Sequence, residues 1–300
     1  MTDQLVTSPA KLTQVQIDQR VFDLYDEYCH GQIDRRSFRS ACAAIAGGLA
    51  MAQALMPNYA RAQTISFTDS RIKATYVTYD SPGGSSGQMR GYLVQPTGQG
   101  PFGTVLVIHE NRGLNPYIED VARRAAADGF LALAPDGLHP LGGYPGNDDD
   151  GRTLYARLDQ PKLRTDMLNS ARFLKAHAMS NGKLGVTGFC GGGSIANWLA
   201  ATMGADMHAG APFYGAAAAT DSVANIRAPL LIHMAENDPG INGQWPAFEA
   251  ALKANNKPYE AHIYPGTQHG FHNNSTPRYQ EAAAKLAWDR TVAHFKQHLA

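Results

Sequence analysis

One six-residue stretch constrains this chain more than any other: Gly188-Phe189-Cys190-Gly191-Gly192-Gly193. The apolar run 183–188 before it reads as a buried strand, and 194–200 after it reads as a helix. A strand, a glycine-rich turn and a helix match the G-x-S-x-G elbow that displays a nucleophile, with Cys190 where serine usually stands. Such a turn forces its central residue into a strained backbone conformation. Side chains at the flanking positions would collide with the strand or the helix. Backbone N–H groups and a helix N-terminus then lie beside the sulfur, where they favour a thiolate and suit an oxyanion. Taken alone, the pattern fits equally well a glycine-rich turn around a structural cysteine.

The totals narrow the choice. Three hundred residues suit one α/β domain with an extension. Hydrophobic residues make up 44% of the chain, enough for a sizeable core. Lys plus Arg and Asp plus Glu are equal at 26 each, with no basic stripe or acidic tail, so nucleic acid is not an expected partner. The cysteines, Cys29, Cys42 and Cys190, include no C-x-x-C pair, which argues against a disulfide framework or a finger-type zinc site.

Residues 1–62 differ from the rest and are expected to form an N-terminal extension. Ile17, Val21, Leu24, Tyr25 and Tyr28 fall at helical spacing. The twin arginine Arg35-Arg36, the mildly apolar run 41–56 and Ala60-Arg61-Ala62 together resemble a Tat export signal. That reading places the mature protein in the periplasm. The alternative is a cytoplasmic protein that keeps this segment as a helical arm, and the long, partly acidic stretch before the twin arginine favours it. The apolar run is too short and too rich in Ala and Gly for a stable membrane span.

From residue 63 onward, strands alternate with helices. Segments 75–79 and 89–95 read as strands joined by a Pro-Gly-Gly-Ser loop, so the sheet is expected to open with an antiparallel hairpin. Strands follow at 104–109, 130–134, 183–188, 210–214, 229–235 and 259–264. Helices are expected at 115–128, 164–178, 244–254 and 279–299. The Gly-, Pro- and Asp-rich segment 138–151 reads as a long surface loop of the kind that shapes a pocket. The alternation implies a mainly parallel sheet covered by helices on both faces. In such sheets chemistry gathers beyond the carboxyl ends of the strands, where Glu110, Cys190 and Asp238 all stand.

A cysteine nucleophile needs a base, and the base needs an orienting carboxylate. After Cys190, Asp238 follows one strand and His269 follows the next, in the order nucleophile, acid, histidine. Glu236 competes for the acid and His272 for the base. A post-strand aspartate is also a common helix cap. A His269–His272 metal pair is set aside, because no third ligand is placed with it. Glu110 precedes a loop that suits the second oxyanion donor, so the donors are assigned to the backbone N–H groups of Gly191 and Asn111. Glu110 itself either braces its own loop and Arg112 or contacts the cysteine or histidine and governs the ionisation of the thiol.

The stretches 105–115, 134–136 and 180–192, together with Pro265-Gly266-Thr267-Gln268-His269-Gly270-Phe271, resemble dienelactone hydrolase (carboxymethylenebutenolidase) over about residues 70–300. The resemblance implies an α/β-hydrolase fold and a Cys190–His269–Asp238 triad. It implies hydrolysis of a small-molecule lactone or carboxylic ester through a thioester, with no cofactor or metal. It also implies that the resting thiol is neutral and bonded to Glu110 until substrate displaces the carboxylate. The family clamps a substrate carboxylate with two arginines. One of those positions is Asn273 here, and the nearest match to the other is Arg152 with Tyr155, with Arg157 competing. Phe271 completes the expected substrate wall. An asparagine in place of an arginine removes a charge and a bidentate fork, so a neutral ester or lactone fits as well as an anionic one. Thioesterase and short-chain carboxylesterase or polyester hydrolase activities fit the same triad, and a non-catalytic binding protein is the alternative from another class. The expected assembly is a monomer or homodimer.

Overall fold

The computed structural model describes residues 24, 33, 35–45, 64–276 and 278–300. The chain divides into two compact units, Met1–Arg61 and Ala62–Ala300. In the first, helix α1 (Arg35–Ala43) begins at the twin arginine, with Phe38 and Cys42 fully buried. Leu24 excepted, the helix expected around residues 17–28 lies outside the described residues, as do most of the apolar run and the Ala-Arg-Ala site.

The second unit is an α/β fold around one eight-stranded sheet. The strands are β1 (Ile72–Ser81), β2 (Gly87–Pro96), β3 (Phe102–Ile108), β4 (Leu131–Pro135), β5 (Ser180–Phe189), β6 (Ala209–Phe213), β7 (Leu230–Asn237) and β8 (Tyr259–Gln268). Their order across the sheet is β1-β2-β4-β3-β5-β6-β7-β8. The expected opening hairpin pairs β1 with β2 antiparallel, from Ile72 opposite Pro96 to Ser81 opposite Gly87. β2 also runs antiparallel to β4, and every later pairing is parallel. The last six residues of β3 and of β5 are all buried, as expected for central strands covered on both faces.

The helices of this unit are α2 (Pro116–Ala127), α3 (Asp148–Tyr155), α4 (Gln160–Lys175), α5 (Gly191–Met203), α6 (Pro239–Asn242), α7 (Trp245–Ala254) and α8 (Glu281–Leu299). They cover the sheet as two apolar layers. One joins Leu163, Met167 and Leu174 of α4 to Ile195 and Leu199 of α5 and to Leu106 and Val186 of the sheet. The other joins Ile118 and Val121 of α2 to Phe295 and Leu299 of α8 and to Val105 and Val107. Each such side chain contributes about 1.5–3 kcal/mol by leaving water. This is the α/β-hydrolase arrangement, and it delivers the ends of β3, β5, β7 and β8 to one edge.

Segment 138–151 departs from its reading as a loop. It contains a short 3-10 turn, His139–Leu141, and the first half of α3. Asn147 caps α3 by accepting a bond from the Asp150 N–H, and Asp148, Asp149 and Asp150 fill its first turn. Carboxylates there meet the positive end of the helix dipole, so residues that signal a loop in isolation stabilise a helix start. α4 likewise begins four residues before the expected 164, because Asp159 accepts from the Lys162 N–H and caps it.

Candidate active site

The elbow is built by close backbone approach. Cys190 sits at φ 55°, in the left-handed region where a side chain costs strain. A Cβ on Gly192 would stand 2.3 Å from the Ile108 carbonyl oxygen and 2.5 Å from that of His109. A Cβ on Gly193 would stand 2.5 Å from the Phe213 oxygen. These glycines let α5 enter between the ends of β3 and β6. Cys190 N–H donates to Phe213 O at 3.1 Å, and Ser194 donates its N–H and its hydroxyl back to Cys190 O. The sulfur remains partly exposed.

Asp238 precedes α6 in the N-cap position, yet its side chain makes no capping bond. It instead accepts from His269 Nδ1 at 2.6 Å. The carboxylate is therefore spent on the imidazole rather than on the helix. His269 stands between Gly266 (φ 69°) and Gly270 (φ 88°), just past β8. Thr267 pins that turn by donating to Tyr264 O at 2.7 Å, and Arg278 reaches His269 O at 3.3 Å. Cys190 acts on the ionisation of the same ring. Burial works against charge on His269, but the bond and charge of Cys190, followed by those of Asp238, outweigh it and raise the imidazole to about 9.

The competing residues have other work. Glu236 accepts the Gly266 N–H at 2.8 Å and braces the histidine loop. His272 is fully buried, stacked on Phe189 and bonded to the Tyr117 hydroxyl at 2.7 Å.

Glu110 lies just beyond β3, 6% exposed. Burial pushes its carboxyl up, against the pull of Arg112, Asn273 and His269. Asn273 Nδ2 donates to Glu110 Oε2 at 2.6 Å. His109 fixes the backbone of this loop. It contacts Glu110 O through Nδ1 at 2.6 Å and accepts the Gly137 N–H on Nε2 at 3.0 Å. Since Nε2 must accept, Nδ1 carries the proton. Burial holds this ring neutral, lowering it to about 4. The sequence reading missed His109, which looked like the last residue of an apolar strand.

A second clasp holds α3 against the same loop. Asp148 accepts from Arg112 at 2.8 Å, Tyr144 at 2.9 Å and Asn115 at 3.1 Å. The α3 backbone at Gly151 lies so close to Arg112 O that a Cβ there would stand 2.3 Å from it. This carries the Tyr155 hydroxyl to 3.1 Å from where a Cβ on Gly191 would be, so it stands over the elbow. Burial and the neighbouring Cys190 push that phenol up to about 12.

The other expected wall residues do not join it. Arg152 points to solvent and pairs with Asp149 at 3.3 Å. Phe271 is fully buried between Tyr214 and Tyr264 and is part of the core, not of a substrate wall. Asn273 is also buried and turned to Glu110. Arg157 is exposed.

The fold meets its counterpart in the family comparisons. A model described as the dienelactone hydrolase family matches residues 89–299. The chain belongs to that family. As a member of the dienelactone hydrolase family it is a carboxylic ester hydrolase. It is 33% identical over 232 residues to a probable 2-oxo-3-(5-oxofuran-2-ylidene)propanoate lactonase of Bradyrhizobium, covering 72% of this chain and 92% of that protein. It is 34% identical over 228 residues to the protein usf of Aquifex pyrophilus, covering 71% and 94%. The dienelactone hydrolase structure from Anabaena variabilis superposes with a TM-score of 0.59 at 20% identity, over 77% of this chain and all of that one, a likeness of fold. A second family model, YqhI-like, matches residues 9–45. Among the described residues, no helix is long and apolar enough to cross a membrane.

The His269 shift has a consequence for stability. Its folded value is about 9, against an ordinary 6.5. The folded protein therefore holds a proton that the unfolded chain releases. That stabilisation is complete below about 6.5 and is lost as pH rises through about 9. Thermal midpoints measured across this window are expected to fall with pH, and His269→Gln should flatten that part of the curve. A midpoint that rises across the window in the parent protein would contradict the assignment.

Proposed function

We propose that this dienelactone hydrolase family member cleaves a lactone or carboxylic ester with Cys190 as nucleophile, His269 as base and Asp238 as its orienting acid. The observation that carries this is the His269–Asp238 bond at 2.6 Å, with Cys190 displayed at φ 55° and acting on the ionisation of the same ring. His269 takes the proton of the Cys190 thiol, and attack of the sulfur on the substrate carbonyl forms a C–S bond and a tetrahedral oxyanion. The N–H groups of Gly191 and Asn111 would receive that oxyanion. Collapse expels the alkoxide or enolate, which takes a proton from His269. Water, activated by the same imidazole, then hydrolyses the thioester.

The substrate class follows from the walls. Arg152 is exposed with only a surface pair to Asp149, and Asn273 is uncharged and bonded to Glu110, so no arginine is held at either expected clamp position. Neither expected carboxylate clamp is available, which favours a neutral ester, lactone or thioester over an anionic dienelactone. The lactonase named among the relatives supports a lactone in general. A screen of 4-nitrophenyl acetate, a simple neutral lactone and dienelactone tests this. Neutral substrates are expected to give kcat/KM about tenfold or more above dienelactone, the scale of one lost charged contact. A preference for dienelactone would overturn the substrate class while leaving the triad standing.

For residues 1–62 we propose a retained arm that keeps the protein in the cytoplasm. The long, partly acidic stretch before the twin arginine supports that over an export signal. N-terminal sequencing of protein from native cells decides it, since a start near residue 63 would restore export.

A further inference from the structure

Helix α5 does more than display Cys190. A cavity of about 700 Å³ runs beside it, and Arg164, Ser194, Trp198, Ala216 and Ala217 are among its walls. That volume falls in the range of small-molecule sites, and so does a lining of aromatic ring, methyl groups and a few polar atoms. The cavity begins at the elbow. Ser194 donates its hydroxyl to Cys190 O at 3.2 Å and accepts the Ala216 N–H at 2.8 Å. Asn197 Nδ2 donates to Ala216 O at 2.9 Å, so the wall at Ala216 is fixed to α5 on both sides of the residue. The charges of Cys190 and Arg164 both reach the Tyr155 phenol, which stands over the elbow.

The charge of the lining says what fits. Among the described residues, no carboxylate lines the cavity, and Arg164 brings a positive charge to it. The Arg164 guanidinium lies over the face of the Trp198 ring, 5.8 Å from its centroid. Stacking engages the flat side of a guanidinium and leaves its N–H edge open to a carboxylate. Unlike Arg152, which pairs with Asp149, Arg164 has no carboxylate partner among the described residues. The position of the cavity says which part of a substrate enters. Tyr155, Trp198 and Ala217 pack with the apolar layer of α4 and α5. Tyr214, whose ring lies 5.0 Å from that of His269, belongs to the opposite layer. His269 must hand its proton to the leaving oxygen, so the leaving group lies toward His269 and the acyl chain lies away from it.

We propose that this cavity is the acyl subsite of the hydrolase and takes an apolar chain that ends in a carboxylate, gripped by Arg164 while its guanidinium rests on Trp198. The assignment rests on the reading of Cys190 as nucleophile. It leaves the case against dienelactone in place, because the carboxylate of that compound sits beside the reacting ring. A helix rises about 1.5 Å per residue, so Trp198 stands about 12 Å along α5 from Cys190. A chain of several methylenes must carry a carboxylate that far. The preferred substrate is therefore neutral at the scissile bond and anionic at its far end, as in a monoester of a medium-chain dicarboxylic acid.

The test compares 4-nitrophenyl octanoate with the mono-4-nitrophenyl ester of octanedioic acid, which has the same chain length and adds a terminal carboxylate. In the parent protein, kcat/KM for the anionic ester should exceed that for the neutral one about fivefold, the scale of one partly exposed ion pair. Both esters are assayed on every variant and the ratio is read, so a general loss of activity cancels. Arg164 is exposed, and Arg164→Gln should fold and bring the ratio to about one. Arg164→Lys, which keeps the charge without the fork, should retain part of it. A ratio of one or less in the parent overturns the subsite, and so does a ratio that Arg164→Gln leaves unmoved. Titration calorimetry of Cys190→Ala with monomethyl octanedioate separates this outcome from the nucleophile reading. Binding that weakens when Arg164→Gln is added supports the subsite even if Cys190→Ala still turns over esters. Absent binding, or binding that the second change leaves as tight, overturns it.

Discussion

Cys190→Ala is expected to lower ester turnover by roughly a thousandfold or more while the protein stays folded. The sulfur is the only part of the residue with a chemical task here. Its backbone N–H and carbonyl bonds to Phe213 and Ser194 survive the change. Alanine at φ 55° is no more strained than cysteine, so stability should move little. His269→Ala should fall by a similar factor. Because the two act as one unit, the double variant should be scarcely worse than either single one. Turnover retained in Cys190→Ala would mean that another group attacks the ester, and the triad would be wrong. Steady-state assay of 4-nitrophenyl acetate with active-site titration provides the measurement.

Gly192→Ala is expected to lose much of the protein's stability. The added methyl would meet two backbone oxygens, those of Ile108 and His109, at 2.3 and 2.5 Å. Neither can swing away as a side chain could, because both belong to the end of a central strand. The cost is roughly 3 kcal/mol, at the upper end for overpacking. Even a folded variant should lose activity, since α5 and the end of β3 must separate and carry the Glu110 loop away from the elbow. Gly98→Ala serves as the control, because nothing lies within 4 Å of its Cβ position. Its urea midpoint should match that of the parent. Equal midpoints for the two variants would show that the elbow yields where its backbone contacts say it cannot.

The residues proposed as reactive were legible as candidates because each is marked by local chain grammar. Glycines flank Cys190, a Pro-Gly turn precedes His269, and Asp238 follows an apolar strand directly. These signals are short-range, and a strand end carries them wherever the sheet places it. The residues that were misread depend on long-range partners. Asn273 meets Glu110 across 163 positions of chain, and nothing near it in sequence announces the bond. His109 bonds to Gly137, 28 positions away. Phe271 follows the histidine loop closely enough to suggest a pocket wall, but the chain turns at Gly270 and sends the ring into the core. Segment 138–151 was misread for another reason. A run of aspartates signals a loop by composition and a helix start by position, and only the cap at Asn147 separates the two.

Helix α3 is attached differently from the rest of the site. Cys190, Asp238 and His269 hang from the sheet, whereas α3 is clasped to the Glu110 loop through Asp148 and a backbone contact at Gly151. Its outer surface carries Arg152 and Thr153 in solvent, and its last residue, Tyr155, overlooks the sulfur. Chemistry and pocket wall are thus separable modules. A lineage could exchange the segment between Leu138 and Tyr155 and acquire new substrates without re-aiming the nucleophile or its base, so long as the exchanged piece kept one carboxylate for Arg112 to grip.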